Sequence, residues 1–131
     1  MRKLLSAVLV LAAAGCATDS QIPQDHRTPG KYNLIAVDGQ AVPQKIASGE
    51  EVLSGTLVLK ADGGFEMKTS LRAQMTSTQP FTFQKQYDGT YTATNIGVNM
   101  SWRGGTVTSG AFFGHTLRVF HDGVEYLFLA Q

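Results

Sequence analysis

Beyond Gly30 the chain carries no helical hydrophobic period; short β-rich runs alternate instead with residues that turn the backbone. Asp38-Gly39, Asp62-Gly63, Asp88-Gly89, Asn95, Gly104-Gly105, Gly114 and Asp122-Gly123 punctuate them. In the second half these signals recur at roughly the 8–12 residue spacing of an antiparallel sandwich or barrel. The spacing predicts an all-β fold.

Register follows from the turns, because a slip of one residue moves every side chain of a strand to the other face. A two-residue turn at Asp122-Gly123 sets Val119 opposite Tyr126 and Leu117 opposite Phe128, leaving Arg118, Phe120 and Glu125 outside. A Gly114-His115 turn then pairs Phe112 with Leu117 and Gly110 with Val119. A three-residue loop, Arg103-Gly104-Gly105, brings Met100 opposite Thr108 and Val98 opposite Gly110, and a turn at Asn95-Ile96 pairs Ala93 with Val98 and Tyr91 with Met100. Four independently placed turns thus produce one continuous apolar face, the agreement between levels that a correct strand assignment requires. In the first half an Ala61-Asp62-Gly63 loop pairs Leu59 with Phe65, Leu57 with Met67 and Leu53 with Leu71. Tyr32, Leu34, Phe81 and Phe83 are expected to complete the core. About eight strands result, over 31–37, 52–60, 64–73, 80–94, 97–102, 106–113, 116–121 and 124–130. Sequential hairpins make an antiparallel up-and-down meander, and closing it into a barrel removes the exposed edges of an open sheet.

The segments "GTLVLKADGGFEM", "DGTYTATNIGVNMSW" and "GHTLRVFHDGVEYLF" resemble small bacterial lipocalin-like β-barrel domains over roughly 30–130. "GKY" at Gly30 to Tyr32 is similar to the Gly-x-Trp near the start of lipocalins, with tyrosine in place of tryptophan. The resemblance implies a barrel and assigns no ligand residues.

The N-terminus reads as an address. Arg2 and Lys3 precede the apolar run from Leu4 to Ala12, and small residues follow, the layout of a secretion signal. The run is shorter than the roughly 20 residues a spanning helix needs. Ala13-Ala14-Gly15-Cys16 resembles the lipobox of bacterial lipoproteins, which implies cleavage before Cys16 and acylation of that residue. Several acyl chains on one residue make an attachment durable where a single chain is marginal. Ala17, where lipoproteins kept in the inner membrane carry aspartate, implies the periplasmic side of the outer membrane in a Gram-negative cell. The expected organisation is therefore a lipoprotein signal peptide over 1–15, a lipidated N-terminus and flexible tether over 16–29 that carries His26, and a barrel domain over 30–131. The 116 residues left after cleavage suffice for one domain with a core. Arg2 and Lys3 leave with the signal, so nine basic residues face ten acidic ones, a balance that does not point to nucleic acid. Cys16 is the chain's one cysteine, so once it is lipidated no thiol remains for a disulfide or a nucleophile.

Little else in the chain points to chemistry. His115 and His121 share parity on one strand, yet six residues at about 3.3 Å each hold them far apart for ligands of one metal ion. They read as a turn residue and a strand-end residue. No strand–turn–helix elbow presents a nucleophilic serine. Glu50 and Glu51 are neighbours on an extended chain and point opposite ways, as in a solvated loop. Asp62-Gly63-Gly64 lacks the spacing of a calcium loop and the lysine of a phosphate loop. No catalytic residue, cofactor or metal is assigned, and the chain reads as a non-enzyme. Tyr91, Trp102, Phe112, Tyr126 and Phe128 either line a pocket or fill the interior, since an eight-stranded barrel permits both. Thr108 and Gly110 lie opposite Met100 and Val98 and leave that side less filled, so Tyr91, Val98, Met100, Trp102, Thr108 and Gly110 are the candidate ligand-binding residues. Two functions stay open: a membrane-tethered barrel binding a small apolar molecule, and a structural or protein-interaction lipoprotein with a filled core and an envelope partner.

Overall fold

A computed structural model describes residues 29–74 and 79–131. The expected signal peptide over 1–15, Cys16, His26 and the expected tether as far as 28 lie outside the described residues. Ten β-elements follow one another: β1 (Gly30–Val37), β2 (Gln40–Ala41), β3 (Gln44–Lys45), β4 (Glu51–Leu59), β5 (Gly64–Ala73), β6 (Phe81–Ala93), β7 (Gly97–Trp102), β8 (Val107–Phe113), β9 (Thr116–His121) and β10 (Val124–Ala130). From β4 to β10 every strand pairs antiparallel with the next, and β1 pairs with both β10 and β4. The sheet therefore closes into an eight-stranded up-and-down barrel, with β2 and β3 as two-residue additions.

The turns hold the expected register. His121 faces Val124 across Asp122-Gly123, where both turn residues have positive φ, 51° and 78°. Such a turn twists with the strands it joins, and aspartate and glycine tolerate the conformation. Tyr126 faces Val119, Phe128 faces Leu117, Phe112 faces Leu117, Met100 faces Thr108 and Val98 faces Gly110. The resulting interior is apolar. Tyr32, Leu57, Leu59, Phe65, Met100, Leu117 and Phe128 are all buried.

Two expected core positions differ. Leu71 faces Val52, not Leu53, because a bulge between Val52 and Ser54 inserts one residue into β4 and flips its parity. Val52 is fully buried and Leu53 only half-buried. Phe81 is 47 % exposed although it lies on the inner side with Phe83. The cause is strand length: β6 pairs with β5 over its whole run from Phe81 to Thr90, whereas β7 accompanies it only from Gly89 to Ala93. Among the described strands nothing adjoins the first half of β6 on its β7 side. That end of the barrel, where β5, β7 and β9 finish, is its mouth.

The segment between β1 and β4 crosses the mouth. Asp38 and Gly39, both at positive φ, reverse the chain so that Gln40 faces Val37. Gln44 then pairs with Val52, and Gly49 N–H donates to the Ile46 carbonyl to tighten the last bend. Val42 and Ile46 pack against the core from above.

Candidate functional site

Three adjacent strands bring the six expected ligand residues together. Tyr91 faces Met100 and Met100 faces Thr108 on the inner side of β6, β7 and β8. Their polar groups are already engaged: the Trp102 indole donates to the Thr108 hydroxyl at 2.8 Å, and the Tyr91 hydroxyl donates to the Lys60 carbonyl at 2.7 Å. Val98, Met100 and Trp102 are buried. At Gly110 a β-carbon would stand 2.6 Å from the Arg118 carbonyl oxygen and 3.0 Å from Val98 Cγ2. The space left by the missing side chain is thus taken up by the close approach of β9 rather than kept as a hollow. Val98 and Gly110 also border a shallow groove of about 340 Å³ with Thr94 and Ile96.

A larger cavity lies at the mouth. It has a volume of about 410 Å³ and is bounded by Ile46 and Ala47 of the crossing segment, Tyr87 of β6, and Val124 and Tyr126 of β10. Charged groups stand at its rim. Lys85 Nζ lies 3.2 Å from Glu50 Oε1 and ties the crossing segment to β6, and Asp122 sits on the β9–β10 turn. Glu51, the neighbour of Glu50, pairs instead with Arg72 at 3.1 Å. The two carboxylates point apart as extended neighbours must, but each is engaged in an ion pair rather than merely solvated.

Beneath the cavity is a stack of rings. His121 lies nearly parallel to Trp102 with centroids 3.8 Å apart, Tyr87 meets His121 edge-on at 4.5 Å, and Trp102 meets Phe65 edge-on at 4.9 Å. Such contacts each contribute roughly 0.5–1.5 kcal/mol beyond the area they bury. His121 Nε2 stands 3.3 Å from Asp122 Oδ2, while its Nδ1 is buried without a hydrogen-bond partner among the described residues. Burial lowers the imidazole pKa, and the Asp122 carboxylate partly opposes that shift. The neutral ring is therefore the resident form near pH 7. Burial also pushes the Tyr126 phenol up to about 12, reinforced by the nearby Tyr87 and by the negative charges of Asp122, Asp38 and Glu50. Tyr87 is raised as well, first by burial, with Lys85 pulling the other way.

His121 was legible as a strand end, and the same register implied more. Leu117 and Val119 face inward, so His121 two residues on must do so too. What parity does not disclose is that β7 ends at Trp102 and presents its indole beneath that imidazole. His115 lies in the β8–β9 turn at the opposite end of β9. Among the described residues no group of three or more histidine, cysteine, aspartate or glutamate side chains is placed to hold a metal ion.

The arrangement offers shape, aromatic surface and a few fixed charges, which suit reversible binding. No family model, curated protein or solved structure matches the chain significantly, so the reading of this site rests on its own geometry.

Proposed function

We propose that this protein is a lipid-anchored, lipocalin-like barrel of the bacterial cell envelope that binds a small molecule at its mouth and is not an enzyme. The mouth cavity is the observation that carries the reading. Its volume falls within the roughly 300–1,000 Å³ typical of small-molecule sites, and apolar and aromatic walls with a few polar groups are the usual lining. The N-terminal sequence supports the rest: acylation of Cys16 would hold the barrel at a membrane, on the periplasmic side of the outer membrane in a Gram-negative cell.

Native mass spectrometry of protein recovered from cells tests the binding, with a small molecule expected on the barrel and reduced occupancy in Ala47→Phe. Ala47 is exposed and borders the cavity, so that variant should fold and partly fill the site. Recovery of ligand-free protein, together with no response of Trp102 fluorescence to a broad panel of small aromatic compounds, would reject the reading.

A second reading, in which the barrel docks an envelope protein, is favoured by its outer wall. Phe113 and Leu129 both face Thr116 from adjoining strands and are 53 % and 41 % exposed, and the Arg118 guanidinium lies 4.8 Å over the Phe113 ring. An exposed aromatic beside an arginine, which is also ion-paired with Glu125 at 2.8 Å, is a composition typical of protein interfaces.

A further inference from the structure

The charge around the mouth cavity is unbalanced, and this narrows the chemistry of what it takes. Three charged side chains line it: Glu50, Lys85 and Asp122. Lys85 is already paired with Glu50. The Asp122 carboxylate has His121 as its neighbour, whose imidazole is buried and neutral near pH 7. Among the described residues one negative charge is therefore left over. Asp38 adds to the same field from the adjoining end of β1; its carboxylate accepts a hydrogen bond from the Glu125 backbone N–H, and among the described residues no ion pair balances it. The two phenol rings lining the cavity carry electron-rich faces, which attract cations most strongly where water is partly excluded.

We propose that the mouth cavity takes a small organic cation, an ammonium or guanidinium on an apolar body of about one ring, with that body against Ile46, Val124 and the Tyr87 and Tyr126 rings and the charge beside Asp122. The inference rests on the binding reading above and specifies its ligand class. An anion would meet the uncompensated carboxylates. A neutral apolar molecule would fit the walls but would gain nothing from the rim.

The test is to titrate the full chain with benzyltrimethylammonium, with its uncharged carbon isostere neopentylbenzene, and with the anion phenylacetate, following Trp102 fluorescence and calorimetric heat. The cation should bind at least about tenfold more tightly than the isostere, and phenylacetate should bind more weakly than either. Asp122→Asn should abolish most of that preference while leaving neopentylbenzene unaffected. Asparagine suits the positive φ of this turn position, so loss of the fold would not mask the result. If neopentylbenzene binds as well as the cation, or Asp122→Asn leaves the preference intact, the cation assignment fails while small-molecule binding stands. If none of the three probes binds, the cation assignment fails, and small-molecule binding stands or falls on the native mass spectrometry and the broad panel.

Discussion

At the scale of single residues, inward and outward neighbours on one strand should behave very differently. Leu117 is fully buried between Phe112 and Phe128, whereas Thr116 is half-buried on the outer face, where its hydroxyl donates to the Phe113 carbonyl at 2.7 Å. Leu117→Ala should cost about 2–5 kcal/mol as a large-to-small core change, and Thr116→Ala about 0.5–1.5 kcal/mol for the loss of one hydrogen bond, both read from urea titrations. Equal costs would mean the faces are wrongly assigned. His121 should make stability depend on pH. Its pKa is lower in the folded barrel than the roughly 6.5 of an unfolded histidine, so between those two values the unfolded chain binds more protons. The contribution is fully present above about pH 6.5 and is lost as pH falls through the folded value. Urea midpoints measured from pH 7.5 down to pH 5 should therefore decrease, and His121→Phe, which keeps a ring against Trp102, should flatten that part of the curve. An unchanged slope would show that the buried imidazole does not govern it.

At the scale of the strands, the β4 bulge and the long β6 decide which residues the barrel holds. Val52 turns inward and Leu53 does not, so Val52→Ala should destabilise more than Leu53→Ala although it removes fewer atoms. The reverse order in equilibrium unfolding would restore the simpler alternation without a bulge. At Gly89, β6 meets the end of β7, and a β-carbon there would lie 2.0 Å from the Ser101 carbonyl oxygen and 2.9 Å from the Phe65 ring. Gly89→Ala should accordingly cost about 1–3 kcal/mol or more, as overpacking does, whereas Gly104→Ala meets no neighbour within 4 Å. The Gly104 variant still has to hold a left-handed backbone, so its cost is conformational and not steric. The crossing segment is fastened at the mouth by the Glu50–Lys85 pair, in which Lys85 is 42 % exposed. A pair so exposed adds little to global stability, and what it sets is the position of Ile46 over the cavity.

At the scale of the whole molecule, anchorage and folding should separate. If Cys16 is the acylated residue, Cys16→Ser should move the protein from the membrane to the soluble fraction and leave the thermal unfolding of the barrel unchanged. Acyl labelling with fractionation reads the first half and calorimetry the second. A serine variant that stays with membranes, or a parent that incorporates no labelled lipid, would remove the lipid anchor from the proposed function.

The eight barrel strands, their hairpin turns and, outside the start of β4, their inner and outer faces were present in the sequence, because alternation and turn chemistry are local. Asp122-Gly123 and Arg103-Gly104-Gly105 each specify a loop length, and a loop length specifies the residues that face each other. The expected pairs of Tyr91 with Met100 and of Val119 with Tyr126 followed from that rule. Closure through β1 and β4 was suggested only by the need to cover edges. The bulge that exchanges Leu53 for Val52 carried no turn residue to announce it, and the exposure of Phe81 depends on where a different strand stops. The mouth site is the clearest case of what tertiary structure decided. Ile46, Tyr87 and the hairpin pair Asp122 and Tyr126 come from three separate stretches of chain and meet only when the barrel has closed and the segment between β1 and β4 has crossed it. Their shared charge and aromatic surface are properties of that meeting, and a local pattern does not encode them.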